Sequence, residues 1–193
     1  IAAVPATTTL FELDQPPAGA LEINVTGHQW WWEFEYPEYG IVTANEMHIP
    51  VGRAVSLTLT SADVIHSFWV PKLGGKQDVV PTRENPLWFQ ADEASPPEGY
   101  YGQCAELCGV SHANMRLRVF AQHAPEFNLW VEQQQTTPRG GDELEGLAAL
   151  GADLFANQPF AGGQQCVFCH TVGGLQIQGK VGPDLSHVGG RVT

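Results

Sequence analysis

Val55-Ser56-Leu57-Thr58-Leu59-Thr60 places an apolar residue at every second position, the period of a strand with one face in a core and the other toward water. Leu21, Ile23 and Val25 alternate with polar neighbours in the same way, as do Met115, Leu117 and Val119 with Arg116 and Arg118. Turn signals separate these runs at Pro71, Gly74-Gly75, Pro81 and Pro96-Pro97. Short alternating strands between such turns predict a mainly β sandwich or barrel that extends to about Trp130.

Outward from these strands the pattern changes twice. Residues 1–20 contain Pro5, Pro16, Pro17 and a threonine run, the composition of an irregular lead-in. Residues 132–146, with three glutamines, Pro138 and Gly140-Gly141, read as an exposed linker. Beyond it Leu147, Leu150, Gly151, Leu154 and Phe155 recur at helical spacing, so an amphipathic helix is expected to open a second domain over 147–193, after a first over 21–131. A length of 193 residues accommodates this division, since domains commonly hold roughly 100 to 150 residues.

Composition excludes several classes. A hydrophobic fraction of 43% and six tryptophans belong to a packed chain, not a disordered or collagenous one. No apolar run approaches the roughly 20 residues that a membrane-crossing helix needs. The chain opens at Ile1 without a basic-then-apolar signal segment, so the expectation is a native N-terminus that has been removed. A net charge of −12 repels nucleic acid and anionic membranes and favours encounter with basic proteins, although a solvated acidic surface accounts for it equally well.

The four cysteines form two close pairs, Cys104 with Cys108 and Cys166 with Cys169, a spacing better suited to metal or cofactor chemistry than to a disulfide framework. In Cys104-Ala105-Glu106-Leu107-Cys108-Gly109-Val110-Ser111-His112-Ala113-Asn114-Met115, thiolate, imidazole and thioether together suit copper, because Cu(I) prefers sulfur and imidazole serves both oxidation states. Cys108, His112 and Met115 alone fit a mononuclear blue-copper loop; the second thiolate at Cys104 can bridge a pair of ions. A local disulfide or half of a zinc site is the plainer reading, but zinc gains nothing from Met115. His66, in Val64-Ile65-His66-Ser67-Phe68-Trp69-Val70-Pro71, follows the clearest alternating strand and is the best upstream histidine, in a position that a core histidine could equally occupy.

Three motifs in order, Gly27-His28-Gln29-Trp30-Trp31-Trp32-Glu33-Phe34-Glu35-Tyr36, Val64 to Gly74, and Tyr100 to His112, closely resemble the soluble domain of cytochrome c oxidase subunit II, over about residues 21–130. The resemblance implies a cupredoxin-like Greek-key β-barrel carrying a dinuclear copper A centre. It gives one copper His66 and Met115, and the other His112 and the Glu106 carbonyl, with Cys104 and Cys108 bridging both. It also implies that the Glu106 side chain faces oxidase subunit I and helps bind magnesium in the assembled complex, that membrane helices belong before this chain, and that the chain alone does not reduce oxygen. By the two-residue period Trp30, Trp32, Phe34 and Tyr36 share one side of a strand, with Trp31, Glu33 and Glu35 opposite. Most of these rings are expected in the core; by resemblance Trp30 is where electrons enter.

Cys166-Val167-Phe168-Cys169-His170 is a haem c attachment pattern, in which two thiols bond the haem and the histidine ligates its iron. A redox dithiol or a chance match is the simpler alternative. Gly151 to Phe155 before it and Gly182-Pro183-Asp184-Leu185-Ser186-His187-Val188-Gly189-Gly190-Arg191 after it resemble cytochromes c, which implies that the Pro183 carbonyl orients the His170 imidazole. His187 reads as part of that loop, not as a ligand. The only methionines are Met47 and Met115, both in the copper domain, so the second domain is expected to be the N-terminal part of a helical cytochrome c domain with an incomplete iron site. The combined expectation is a periplasmic domain at the outer face of the bacterial cytoplasmic membrane that takes electrons from a cytochrome c donor and serves an oxidoreductase complex. A nitrous-oxide-reductase-like copper A domain and a free-standing copper carrier are the alternatives.

Overall fold

Each alternating run lies in a strand, or at its threshold, with its apolar side turned inward. The computed structural model describes Thr7, Thr9 and residues 15–140, 143–159, 162–175, 177–179 and 181–192, so most of the expected lead-in lies outside the described residues. Ten strands form two five-stranded sheets: β1 (Leu21–His28), β2 (Trp31–Tyr36), β3 (Ile41–Ala44), β4 (Glu46–Pro50), β5 (Val55–Ser61), β6 (His66–Trp69), β7 (Gln77–Val79), β8 (Asn85–Phe89), β9 (Tyr100–Cys104) and β10 (Arg116–Gln122). One sheet runs β3-β2-β1-β5-β8 and the other β4-β10-β9-β6-β7. β1 lies parallel to β5, with Leu21, Ile23 and Val25 in register with Val55, Leu57 and Leu59. The two apolar rows therefore form one continuous inner face.

Aromatic rings join the sheets. Phe68 of β6 meets Trp32 of β2 edge-on at 5.3 Å and Phe34 at 6.4 Å, the crossed geometry that ring quadrupoles favour. All three are fully buried. Above them the His66 ring stands 5.9 Å from Trp32, and Gly27 makes room for it: a Cβ there would come within 2.9 Å of the imidazole. Trp31, on the opposite side of β2, is buried as well, because it lies flat on His28 with ring centroids 4.2 Å apart.

A helix, α1 (Ala124–Gln135), closes the end of the sandwich. Glu132–Gln135, read in the sequence as the start of a linker, form its last turn. Phe127, Trp130 and Val131 are its buried residues, at the i, i+3, i+4 spacing of one helical face. Trp130 packs at 5.2 Å on Tyr36 and at 4.4 Å on His48, whose other face stacks on Phe120 at 4.8 Å. The Tyr36 hydroxyl donates to the His48 carbonyl at 3.0 Å and accepts its N–H at 2.8 Å.

Beyond Glu143, the described structure holds one helix, α2 (Gly146–Asn157), short 3-10 turns and a two-residue ladder of β11 (Thr171–Val172) and β12 (Ile177–Gln178). Helix is thus a small part of a segment expected to be helical, since Gly173-Gly174, Gly179 and Gly182-Pro183 interrupt it. Leu147, Leu150 and Leu154 of α2 are exposed. Among the described residues, no helix is long and apolar enough to cross a membrane.

Burial between Phe120 and Trp130 lowers the pKa of His48 to about 4 despite its bond to Gln122. An unfolded chain returns it to about 6.5. The folded value is the lower one, so its contribution is fully present above about pH 6.5 and is lost as pH falls toward about 4. The expected loss is about 3 kcal/mol. Denaturant unfolding between these pH values checks it: His48→Asn should flatten the decline in stability.

Candidate metal centre

Two loops at one end of the sandwich bring the sulfur and imidazole groups together. His66 opens β6 and Cys104 ends β9, and the β6–β9 register opposes Phe68 and Cys104. From Cys104 the chain leaves the sheet, makes a 3-10 turn at His112–Asn114 and returns through Met115 into β10. The loop is pinched at its base by the Cys104 N–H donating to the Met115 carbonyl at 3.0 Å, and tied to β6 by the Ala105 N–H donating to the Ser67 carbonyl at 2.8 Å.

Within this frame Cys104 Sγ lies 3.7 Å from Cys108 Sγ, and both cysteines are free thiols. Each thiol has its own imidazole: His66 Nδ1 is 3.9 Å from Cys104 Sγ, and His112 Nδ1 is 3.6 Å from Cys108 Sγ. Met115 Sδ lies 3.7 Å from Cys108 Sγ and the Glu106 carbonyl oxygen 3.2 Å from Cys104 Sγ. The ligand atoms of His66, Cys104 and Cys108 all fall within 4.8 Å of one another. Exposures of 0% for His66, 5% for Cys104, 3% for Cys108 and 1% for Met115 keep water out. Soft sulfur flanked on both sides by imidazole is a donor set for copper, and its paired layout matches two ions better than one tetrahedral zinc.

The electrostatics favour one thiolate in the metal-free chain. Burial pushes the Cys104 thiol up, but His66 and the Ser67 backbone outweigh it and bring it to about 6. Burial and the neighbouring Cys104 charge push Cys108 up to about 12. For His66 burial acts downward, and Cys104 and Asp63 more than offset it, raising its pKa. Asp63 holds that ring in place: its Oδ1 accepts from His66 Nε2 at 2.7 Å and from the Val64 N–H at 2.6 Å, and its Oδ2 from the Gln29 N–H at 2.6 Å. These bonds keep its carboxyl below the usual carboxylate range against the upward pull of burial.

The second cysteine pair lies on a 3-10 turn, Cys166–Phe168, closed by the His170 N–H donating to the Cys166 carbonyl at 3.0 Å. His170 Nδ1 stands 2.8 Å from the Pro183 carbonyl, so Nδ1–H is the donor and Nε2 keeps its lone pair. The Gly182 N–H donating to the Cys169 carbonyl at 2.7 Å fastens the Pro183 loop to the turn. Cys166 and Cys169 are free and half-buried, and Phe168 is exposed beside them.

Residues 41–121 match the family model described as cytochrome C oxidase subunit II, periplasmic domain. Cytochrome c oxidase subunit 2 of Alkalihalophilus pseudofirmus is 39% identical over 197 residues, covering 99% of this chain and 54% of that protein. Its counterpart from Bacillus sp. (strain PS3) is 34% identical, covering 99% of this chain and 55% of that protein. The crystal structure of the periplasmic domain of subunit II of cytochrome oxidase of Bradyrhizobium japonicum superposes with a TM-score of 0.58 at 36% identity, over 62% of this chain and 96% of that one. This chain belongs to the cytochrome c oxidase subunit II family. It spans about half the length of the curated relatives it matches. A second solved structure, 36% identical with a TM-score of 0.56 over 64% of this chain and 96% of that one, holds subunit II in a mixed disulfide with a thioredoxin-like protein.

The subunit II fold, mainly β and cupredoxin-like, thus gathers His66, Cys104, Glu106, Cys108, His112 and Met115 at one end. Trp30 stands beside them, its Nε1 donating to the Cys108 carbonyl at 3.1 Å. Cys166, Cys169 and His170 form a separate cluster. Sequence reasoning missed Asp63 and Gln29; the signal for Asp63 was a carboxylate three residues before a candidate ligand, the arrangement that orients metal-bound histidines. In the metal-free chain, iodoacetamide should alkylate Cys104 with a rate that rises through pH 6 and levels above it, while Cys108 reacts slowly, with a rate still climbing at pH 10. Peptide mass spectrometry across that range checks this, and His66→Gln should move the Cys104 profile to higher pH.

Proposed function

We propose that this chain is the electron-accepting region of a haem-copper oxidase, taking electrons from a cytochrome c donor and passing them toward the catalytic subunit I at the outer face of the bacterial cytoplasmic membrane. The observation that carries the reading is the convergence of two free thiols 3.7 Å apart, each with an imidazole within 4 Å. Cys104 and Cys108 would bridge two coppers, with His66 and Met115 on one and His112 and the Glu106 carbonyl on the other. A copper pair so held supplies a one-electron store that rearranges little on reduction. The buried sheet ends hold the donors in place and exclude water. The Glu106 carboxylate is exposed, free to meet magnesium at a contact with subunit I.

Trp30 is proposed as the point where electrons enter. Its indole spans from the half-exposed surface to the Cys108 carbonyl, which shortens the gap between a docked donor and the thiolates. The net charge of −12 favours a basic donor. Cys166, Cys169 and His170 are proposed to hold haem c, a reading supported by the His170 tautomer that the Pro183 carbonyl fixes. The thiol pair has to be reduced before it can take up metal, and a thioredoxin-like partner, as in the solved mixed disulfide, is the class of protein suited to that.

Copper titration with paramagnetic resonance tests the assignment: two coppers per chain sharing one unpaired electron are expected. Cys104→Ser should abolish that signal, and Met115→Leu should keep the metal and shift its potential, because a thioether is a weak ligand. A Cys104→Ser chain with an unchanged dinuclear spectrum rejects the reading. Trp30→Phe, which preserves a ring and most of its packing, should slow electron acceptance from a cytochrome c donor in stopped flow and leave the copper spectrum unchanged.

A further inference from the structure

The turn between β1 and β2 touches both halves of the donor set without supplying a donor. The Gln29 backbone N–H donates to Asp63 Oδ2 at 2.6 Å, and the same carboxylate faces His66 Nε2 at 2.7 Å. The Gln29 side chain reaches the other way, its Nε2 donating to the Cys108 carbonyl at 2.7 Å, where Trp30 Nε1 also donates at 3.1 Å. Gly109 follows with φ +119°, and a Cβ there would stand 3.0 Å from Gln29 Nε2 and 3.2 Å from the Trp30 ring, so the loop backbone lies directly on the turn. One residue is therefore fastened to the His66 loop by its backbone and to the Cys108 loop by its side chain.

We propose that Gln29 is a positioning residue which, with Asp63, clamps the His66 loop to the Cys108 loop and sets the spacing of the imidazole and thiol donors. Burial does not hold the outer part of the Cys108 loop: Leu107 is 76% and Val110 97% exposed. Polar bonds must do so, and two of them end on one carbonyl, fixing the Cys108 peptide against rotation. On the other side the Asp63 carboxylate takes His66 Nε2–H and leaves the Nδ1 lone pair toward Cys104 Sγ, the tautomer that ligation requires. Gln29 links these two restraints, so a change at either end is felt at both.

The consequence for copper rests on the function proposed above, whereas the consequence for the thiols does not, and the two are measured separately on the 193-residue chain. In the metal-free protein, Gln29→Leu should raise the rate of Cys108 alkylation about fivefold, the opening expected when one ordinary hydrogen bond is lost, with the thermal unfolding midpoint held. After copper loading, Gln29→Leu and Asp63→Asn should each speed removal of copper by a chelator about tenfold and alter the copper hyperfine pattern. The double variant should release copper no faster than Asp63→Asn alone, because both changes break one link. If Gln29→Leu disturbs folding, Gln29→Glu, equal in length and lacking the amide donor, gives the decisive readings. Wild-type alkylation and release rates in the Gln29 variants overturn the clamp, and rates that multiply in the double variant overturn the coupling. A wild-type chain that binds no copper pair defeats the functional reading, and alkylation then still decides the clamp.

Discussion

Phe68 opposite Cys104 across β6 and β9 is the register on which the site depends. Side chains alternate along a strand, so His66 and Phe68 share the inner face of β6, and Cys104 ends β9 on that same side. A slip of one residue would turn Cys104 outward and leave its imidazole partner behind. The register is held by what lies beneath it: Phe68 sits edge-on to Trp32 and Phe34 in the buried core. Core and metal centre are therefore one structure, in which the top layer of the apolar packing ends in sulfur and imidazole.

Much of this was legible in the sequence because both signals are periodic. Two-residue alternation marked β1, β5 and β10, and the spacing of Cys104, Cys108, His112 and Met115 marked the loop. Other parts were hidden for identifiable reasons. The helix α1 carries only three buried residues, Phe127, Trp130 and Val131, so its first turns were read as the end of the β domain and its last turn, a glutamine run, as linker. Trp31 was assigned to the outer side of its strand by period alone, but a neighbouring His28 ring covers it. Asp63 and Gln29 act through single hydrogen bonds to partners far along the chain, and no local pattern announces a long-range bond. The Cys166-to-His170 pattern was plain; the irregular, glycine-rich path around it was not, since such segments follow tertiary contacts and not propensity.

The polar residues divide into two kinds that a sequence does not separate. His48 is half-buried between rings with its ring nitrogen on Gln122 and its backbone on the Tyr36 hydroxyl, and it is held uncharged. His66 is more fully enclosed, but has a carboxylate on one nitrogen and a thiol on the other, and its pKa moves in the opposite direction. Burial alone thus fails to tell a structural histidine from a ligand. The character of the second neighbour does.

The parallel pairing of β1 with β5, and of β4 with β10, also governs the order in which the molecule can be built. Both pairings join segments far apart in sequence, and chains dominated by such contacts fold slowly, because loop entropy is lost before any contact repays it. His66 and the cysteine loop are carried by β6 and β9 of one sheet, distant in sequence, and meet only when those two strands pair. Until then Cys104 and Cys108 share one short, open loop without the His66 imidazole opposite, a geometry in which an oxidant can join them. The β6–β9 pairing that brings His66 to Cys104 is thus also the step that takes the thiols out of that open loop.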